Sequence, residues 1–174
     1  MSEYFSEVEH EKEPSQKRPV LLTVLAVLSF IVIGYGFLGL LTSMLGGQPS
    51  PEEIDKGYQQ IIQSVSDLRD QNAVGLADFF EQLANMIVYE QNHFFPVMLL
   101  NAVTIITGFI GVLFMLRGRR LGFHFYIIYN LLSIGGVYLI VPFDLVPNIL
   151  LITSVFLSGL FVFLYSLNLK WMNK

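Results

Sequence analysis

Cysteine is absent, so the chain can form no disulfide framework, thiolate nucleophile, thiolate metal site or S-linked lipid anchor. Charge is scarce too. Asp, Glu, Lys and Arg make up 14% of the 174 residues, against about 25% in an ordinary soluble domain. The net charge of -4 offers no basic surface to a phosphate backbone, so no nucleic-acid partner is expected. What remains is apolar: 53% of the residues are hydrophobic and 14% aromatic, in a length that suits one domain or one small bundle.

The missing charges leave four long runs. A hydrocarbon core of about 30 Å needs roughly 20 apolar residues in a helix, because every backbone polar group must be satisfied within the segment. Residues 20–45, 97–116, 121–141 and 149–169 meet that length with no Asp, Glu, Lys or Arg. Tyrosine aside, His124 is their only ionisable side chain, one turn inside the third run. The first run exceeds the bilayer thickness and predicts tilt or a projecting turn. It fits a cleaved signal peptide badly: residues 1–13 hold five glutamates where a leader is basic, and the run is far longer than a signal core. It reads as an uncleaved signal anchor. The acidic tail, 1–19, has no core-forming pattern and is expected to be disordered.

Orientation follows the bases. Lys12, Lys17, Arg18, Arg117, Arg119, Arg120, Lys170 and Lys174 fall on one side of the four runs, and only Lys56 and Arg69 on the other. Both termini are therefore expected in the cytoplasm, with loop 46–95 outside. The turn holding Arg117, Arg119 and Arg120 reads first as a topology determinant and second as a contact for anionic lipid head groups. Trp171, just past the fourth run, suits an interfacial anchor.

Loop 46–95 is too long to lack elements of its own. Ser50-Pro51-Glu52-Glu53 predicts a helix start, with serine as N-cap, proline at the first helical position and glutamate placed for a capping box. Ile54, Tyr58, Ile61, Ile62, Val65 and Leu68 then recur at helical spacing, opposite Asp55, Gln59, Gln63 and Asp70. After a break at 72–75, Leu76, Phe79, Phe80, Leu83, Met86 and Ile87 repeat the pattern, and Pro96 predicts a kink or restart. Eight acids against two bases in this loop disfavour a membrane-lying pair, whose polar face is usually basic. A helical cap over the bundle is expected first, a protein-docking surface second and a lipid-interface position third.

The acids also invite a metal reading. Asp67 with Asp70 and Asp78 with Glu81 are spaced i to i+3, while Glu90 and His93 form a Glu-x-x-His pair echoed only by Glu7 and His10. Di-metal bundles need two such motifs converging with further carboxylates. These do not visibly converge, so no metal site and no cofactor are expected.

Small and polar residues mark where membrane helices meet. The stripes are Ser29, Gly36, Gly39 and Ser43; Asn101, Thr104, Gly108 and Gly111; Tyr126, Tyr129, Asn130, Ser133 and Gly136; and Ser154, Ser158 and Tyr165. They predict an all-α, four-helix transmembrane bundle with a mildly polar interior and an extracytoplasmic helical hairpin between spans one and two. In one reading Asn101, Thr104, Tyr126, Tyr129 and Asn130 line a small-molecule or lipid pocket, with His124 near its cytoplasmic mouth. In the simpler reading they bond across helices at about 0.6 kcal/mol each.

Ion-coupled transport and voltage sensing usually rely on ionisable residues within the membrane, which these runs lack. Small four-span multidrug transporters, similar in span count, carry an acidic residue in the membrane that has no counterpart here. No Gly-x-Ser-x-Gly, His-Glu-x-x-His or phosphate-cradling glycine loop is present, so no catalytic residue is assigned.

Residues 18–25, Arg-Pro-Val-Leu-Leu-Thr-Val-Leu, with Ser29-Phe30-Ile31 and Gly34 to Gly36, resemble the first span of small four-span inner-membrane proteins of Bacteroidota. Arg119-Arg120-Leu121-Gly122-Phe123 followed by Tyr126-Ile127 resembles their basic turn and third span. Those families are uncharacterised, so the resemblance implies location and topology but no activity. Pro142, Asp144 and Pro147 echo a Pro-x-Asp-Leu-x-Pro motif of another uncharacterised family without its following paired aspartates, and read as a proline turn. The expectation is a non-catalytic interaction or envelope-associated membrane protein, in contact with the bilayer and with a protein partner at the outer helices. A homo-oligomer is compatible with it. The alternatives are a transport accessory or small-ligand or lipid carrier and, last, a membrane enzyme.

Overall fold

The computed structural model describes residues 17–172, and the tail pair Glu7 and His10, with most of the tail expected to be disordered, lies outside them. Helices α1 (Val20–Gly46), α2 (Pro51–Asp70), α3 (Val74–Asn92), α4 (Phe94–Leu116), α5 (Leu121–Gly135) and α6 (Asn148–Ser166) follow in chain order, with no strand among the described residues. Among the described residues, four segments are long and apolar enough to cross a membrane: Val20–Gly46, Phe94–Leu116, Leu121–Leu139 and Asn148–Ser166. At 1.5 Å per residue α1 is about 40 Å long, more than the hydrocarbon thickness. It stops at Gly47, whose φ of 71° favours glycine and whose N–H donates to the Ser43 carbonyl at 3.0 Å.

The expected capping box opens α2. The Glu53 N–H donates to Ser50 Oγ at 3.3 Å, and the Ser50 N–H returns the bond to Glu53 Oε2 at 2.8 Å. Asn72, the one non-glycine residue with positive φ among the described residues, turns the chain into α3. Helices α2 and α3 pack together through Val65, Ala77 and Ala84. The α3 stripe is thereby split: alanines bring the backbones close, while Leu76 and Phe80 of the expected apolar face point outward. Arg69 clamps the pair, reaching Asp78 at 3.4 Å and also Glu81.

The chain restarts at His93, three residues ahead of Pro96. That proline falls in the first turn of α4, where its missing N–H has no helical partner to lose. Gly118, at φ 74°, turns α4 into α5. The third run, expected helical to residue 141, is α-helical only to Gly135 and tightens into a 3-10 turn at Gly136–Leu139. Paired glycines are poor helix formers, and Pro142 bars continuation. The fourth run similarly leaves the α form at Ser166, and successive turns carry Met172 into the core.

Helix α4 packs most intimately with α5, then with α1, while α6 touches α5 and α1 more sparsely. The packed core gathers Leu22, Leu25, Val112, Met115, Tyr126, Tyr165 and Met172. These lie toward the end that carries the arginine turn, and Trp171 packs against them. At the other end, toward α2 and α3, the helices part. Outward faces hold Val24, Leu28, Ile31, Leu38, Ile106, Leu131, Ile152 and Phe156 in exposed positions, a sheath far beyond the apolar patches of soluble monomers.

Candidate functional site

Ser29 closes the packed end. Its Oγ lies 3.3 Å from the Tyr126 hydroxyl and 3.0 Å from the Tyr165 hydroxyl, joining α1, α5 and α6 in one buried polar contact. The Tyr126 and Tyr165 rings pack on each other with centroids 4.6 Å apart. Above this floor the small residues of α1 change role. Gly36 only touches the Ile105 side chain at ordinary contact distance, and a Cβ at Gly39 would meet nothing within 4 Å. They leave space rather than mark close approach.

That space is a cleft of about 730 Å³ bounded by α1, α3, α4 and α5. Gly39, Ser43, Asn101, Thr104, Tyr129 and Ser133 contribute to its wall, and Glu53 and Glu90 stand toward its α2–α3 end. A second cavity of about 270 Å³ on the α6 side shares Glu90, Asn101, Thr104 and Ser133 with it and adds Ser154. A third, of about 300 Å³, runs between α1, α5 and α6 and is lined by Ser29, Tyr126, Tyr129, Asn130, Ser133 and Ser158. The three lie side by side: Ser133 borders all of them, and Tyr129 borders the first and third.

Each of the five residues expected to line one pocket borders one or more of these cavities, but no single cavity is bordered by all five. Asn101, Thr104 and Tyr129 border the large cleft, while Tyr126 and Asn130 border the third cavity, nearer the floor. Their hydrogen bonds run mostly along their own helices. Thr104 Oγ1 donates to the Leu100 carbonyl at 2.8 Å and Asn130 Nδ2 to the Tyr126 carbonyl at 2.7 Å. The cross-helix bonding of the simpler sequence reading is instead concentrated at Ser29. Tyr129 owes its place to Gly108, since a Cβ there would sit 2.6 Å from the ring.

His124 does not reach the mouth. It is exposed, and its Nδ1 donates to the Arg120 carbonyl at 3.1 Å. Arg117, Arg119 and Arg120 are exposed at the turn, with the Arg119 guanidinium 5.6 Å from the Phe114 ring centroid. The Glu90 and His93 pair separates: His93 stacks on Tyr89 and donates to its carbonyl at 2.9 Å, while Glu90 borders the cleft.

Glu90 and Glu53 were not among the pocket residues expected from sequence. Spacing held the signal for Glu90, because it continues the Leu83, Met86 and Ile87 stripe by another turn. Burial pushes its carboxyl above the usual carboxylate value, and among the described residues it has no ion-pair partner. Glu53 is exposed, and the Ser50 N–H followed by the Ser50 hydroxyl hold its carboxyl below that value.

The interior thus offers neutral donors and acceptors along apolar walls, with carboxylates at one end. Such a site can hold an elongated molecule with one polar end. No protein-family model, curated protein or solved structure matches the chain.

Proposed function

We propose that this chain is a multi-pass component of a bacterial inner membrane that holds a lipid-like small molecule without transforming it. In this reading its apolar segments form a four-helix transmembrane bundle, both termini are cytoplasmic, and α2 with α3 forms an extracytoplasmic helical hairpin over the cleft. The distribution of Lys and Arg supports the orientation, and the resemblance to four-span proteins of Bacteroidota supports the location. One observation carries the ligand: a cleft of about 730 Å³ between apolar helices, with Asn101, Thr104, Tyr129 and Ser133 set among its apolar walls.

The test is lipid extraction and native mass spectrometry of protein purified in mild detergent. An amphiphile should co-purify with the wild type and fall several-fold in Gly39→Phe. A Cβ at Gly39 meets nothing within 4 Å, and Gly39 lines the cleft, so the added ring takes up part of that space. Equal retention by both proteins would refute the reading.

An interaction role in the envelope is favoured by a separate observation. Val74, Leu76 and Phe80 expose apolar surface at the turn end of the α2–α3 pair. A partner lost from purified complexes on Leu76→Asp with Phe80→Asp, with the cleft ligand retained, would support that role.

A further inference from the structure

The charges around the cleft are of one sign. Among the described residues, neither Lys nor Arg nor His borders the large cleft or the α6-side cavity, whereas Glu90 borders both and Glu53 borders the larger. The nearest bases in sequence do not line either, and His93 stacks on Tyr89. Arg69 is bound by Asp78 and Glu81, and Lys56 is exposed on α2. The other polar groups of the cleft wall, such as Asn101, Thr104 and Ser133, are neutral, so among the described residues the full charges that border the cleft are carboxylates. A phosphate or carboxylate head group would face those charges with no counter-ion.

We propose that the molecule held in the cleft is a cationic amphiphile, whose organic ammonium head pairs with Glu90 while its hydrocarbon chain lies between the helices. The inference rests on the cleft being a ligand site and adds the sign of the ligand's charge. Glu53 contributes at longer range, its carboxylate already engaged by the Ser50 N–H and hydroxyl. The Tyr129 ring offers an aromatic face on the path inward. Burial of Glu90 without a positive partner is unfavourable for the ionised form, and an ammonium group beside it offsets that cost.

The experiment uses full-length protein in nanodiscs of zwitterionic lipid, with empty nanodiscs as baseline. Three probes share one fourteen-carbon chain: the trimethylammonium ion, the alcohol and the sulfate. Saturable binding of the ammonium probe about tenfold tighter than the other two is expected, with about tenfold weakening in Glu90→Gln and none in Asp55→Asn. Equal binding of the three probes, or an unchanged Glu90→Gln, overturns the charge assignment. If Gly39→Phe then still abolishes binding, the cleft reading survives that result. If no probe binds saturably, or if Gly39→Phe changes nothing, the cleft reading falls with it.

Discussion

Gly111 of α4 and Gly122 of α5 meet backbone to backbone: a Cβ on Gly122 would stand 2.6 Å from the Gly111 carbonyl oxygen. A Cβ on Gly111 would in turn stand 2.9 Å from the Tyr126 backbone nitrogen. Main chain, unlike a side-chain tip, cannot swing aside. Gly122→Ala should therefore destabilise the protein by about 1–3 kcal/mol, the usual cost of overpacking a close-packed contact. Gly39→Ala, facing open space, should be close to neutral. Thermal midpoints in one detergent would check the order, and equal midpoints would contradict it.

Ser29 binds two hydroxyls on two other helices. Ser29→Ala should cost about 0.6–1.7 kcal/mol, the range for hydrogen bonds between membrane helices. Combined with Tyr165→Phe, it should be less than additive, because both changes remove the same bond. A double-mutant cycle by steric trapping or denaturant titration reads the coupling. Strict additivity would mean that the Ser29 and Tyr165 hydroxyls are not coupled.

Glu53 and Glu90 give opposite pH dependence. The Glu53 carboxyl is lowered in the folded chain, so its contribution is present above the ordinary carboxylate value and is lost as pH falls through the lowered one. Hydrogen exchange should show the first turn of α2 loosening in acid in the wild type. In Glu53→Gln that pH dependence should be smaller.

Glu90 is raised, so its relative stabilisation is full below the ordinary carboxylate value and is lost as pH climbs through the raised one. With the cleft empty, Glu90→Gln should raise the thermal midpoint at neutral pH by a few degrees, a gain that shrinks on acidification. A midpoint difference that grows in acid would refute this.

Absence of cysteine makes topology directly measurable. Single cysteines at Ser64 and Arg117, both exposed, should differ in labelling by a membrane-impermeant thiol reagent in cells with a permeabilised outer membrane. Only the first should react. Gly118 would be a poor reporter, being buried at φ 74°. Labelling at Arg117 alone would reverse the proposed orientation.

Local chemistry made much of the fold legible in advance. Four charge-free runs, the capping box at Ser50 and Glu53, and the restart near Pro96 each depend on a handful of neighbouring residues, so one dimension was enough to read them. Where two local signals competed, the outcome was less legible. Gly135 and Gly136 ended the α form of the third run before Val141, although hydropathy continued through it.

By itself the sequence determined which segments are apolar helices and which residues stripe them, because periodicity is a property of one helix. Only the tertiary structure decided what the stripes do. Gly111 and Gly122 became a backbone contact while Gly39 came to face open space, although all three are glycines at helical positions. Contact needs a partner backbone at van der Waals distance, and that distance depends on how far α1 and α4 diverge, which no local pattern encodes. Glu90 joined the cleft for the same reason: α3 had to be set against α4 before its carboxylate could border that space.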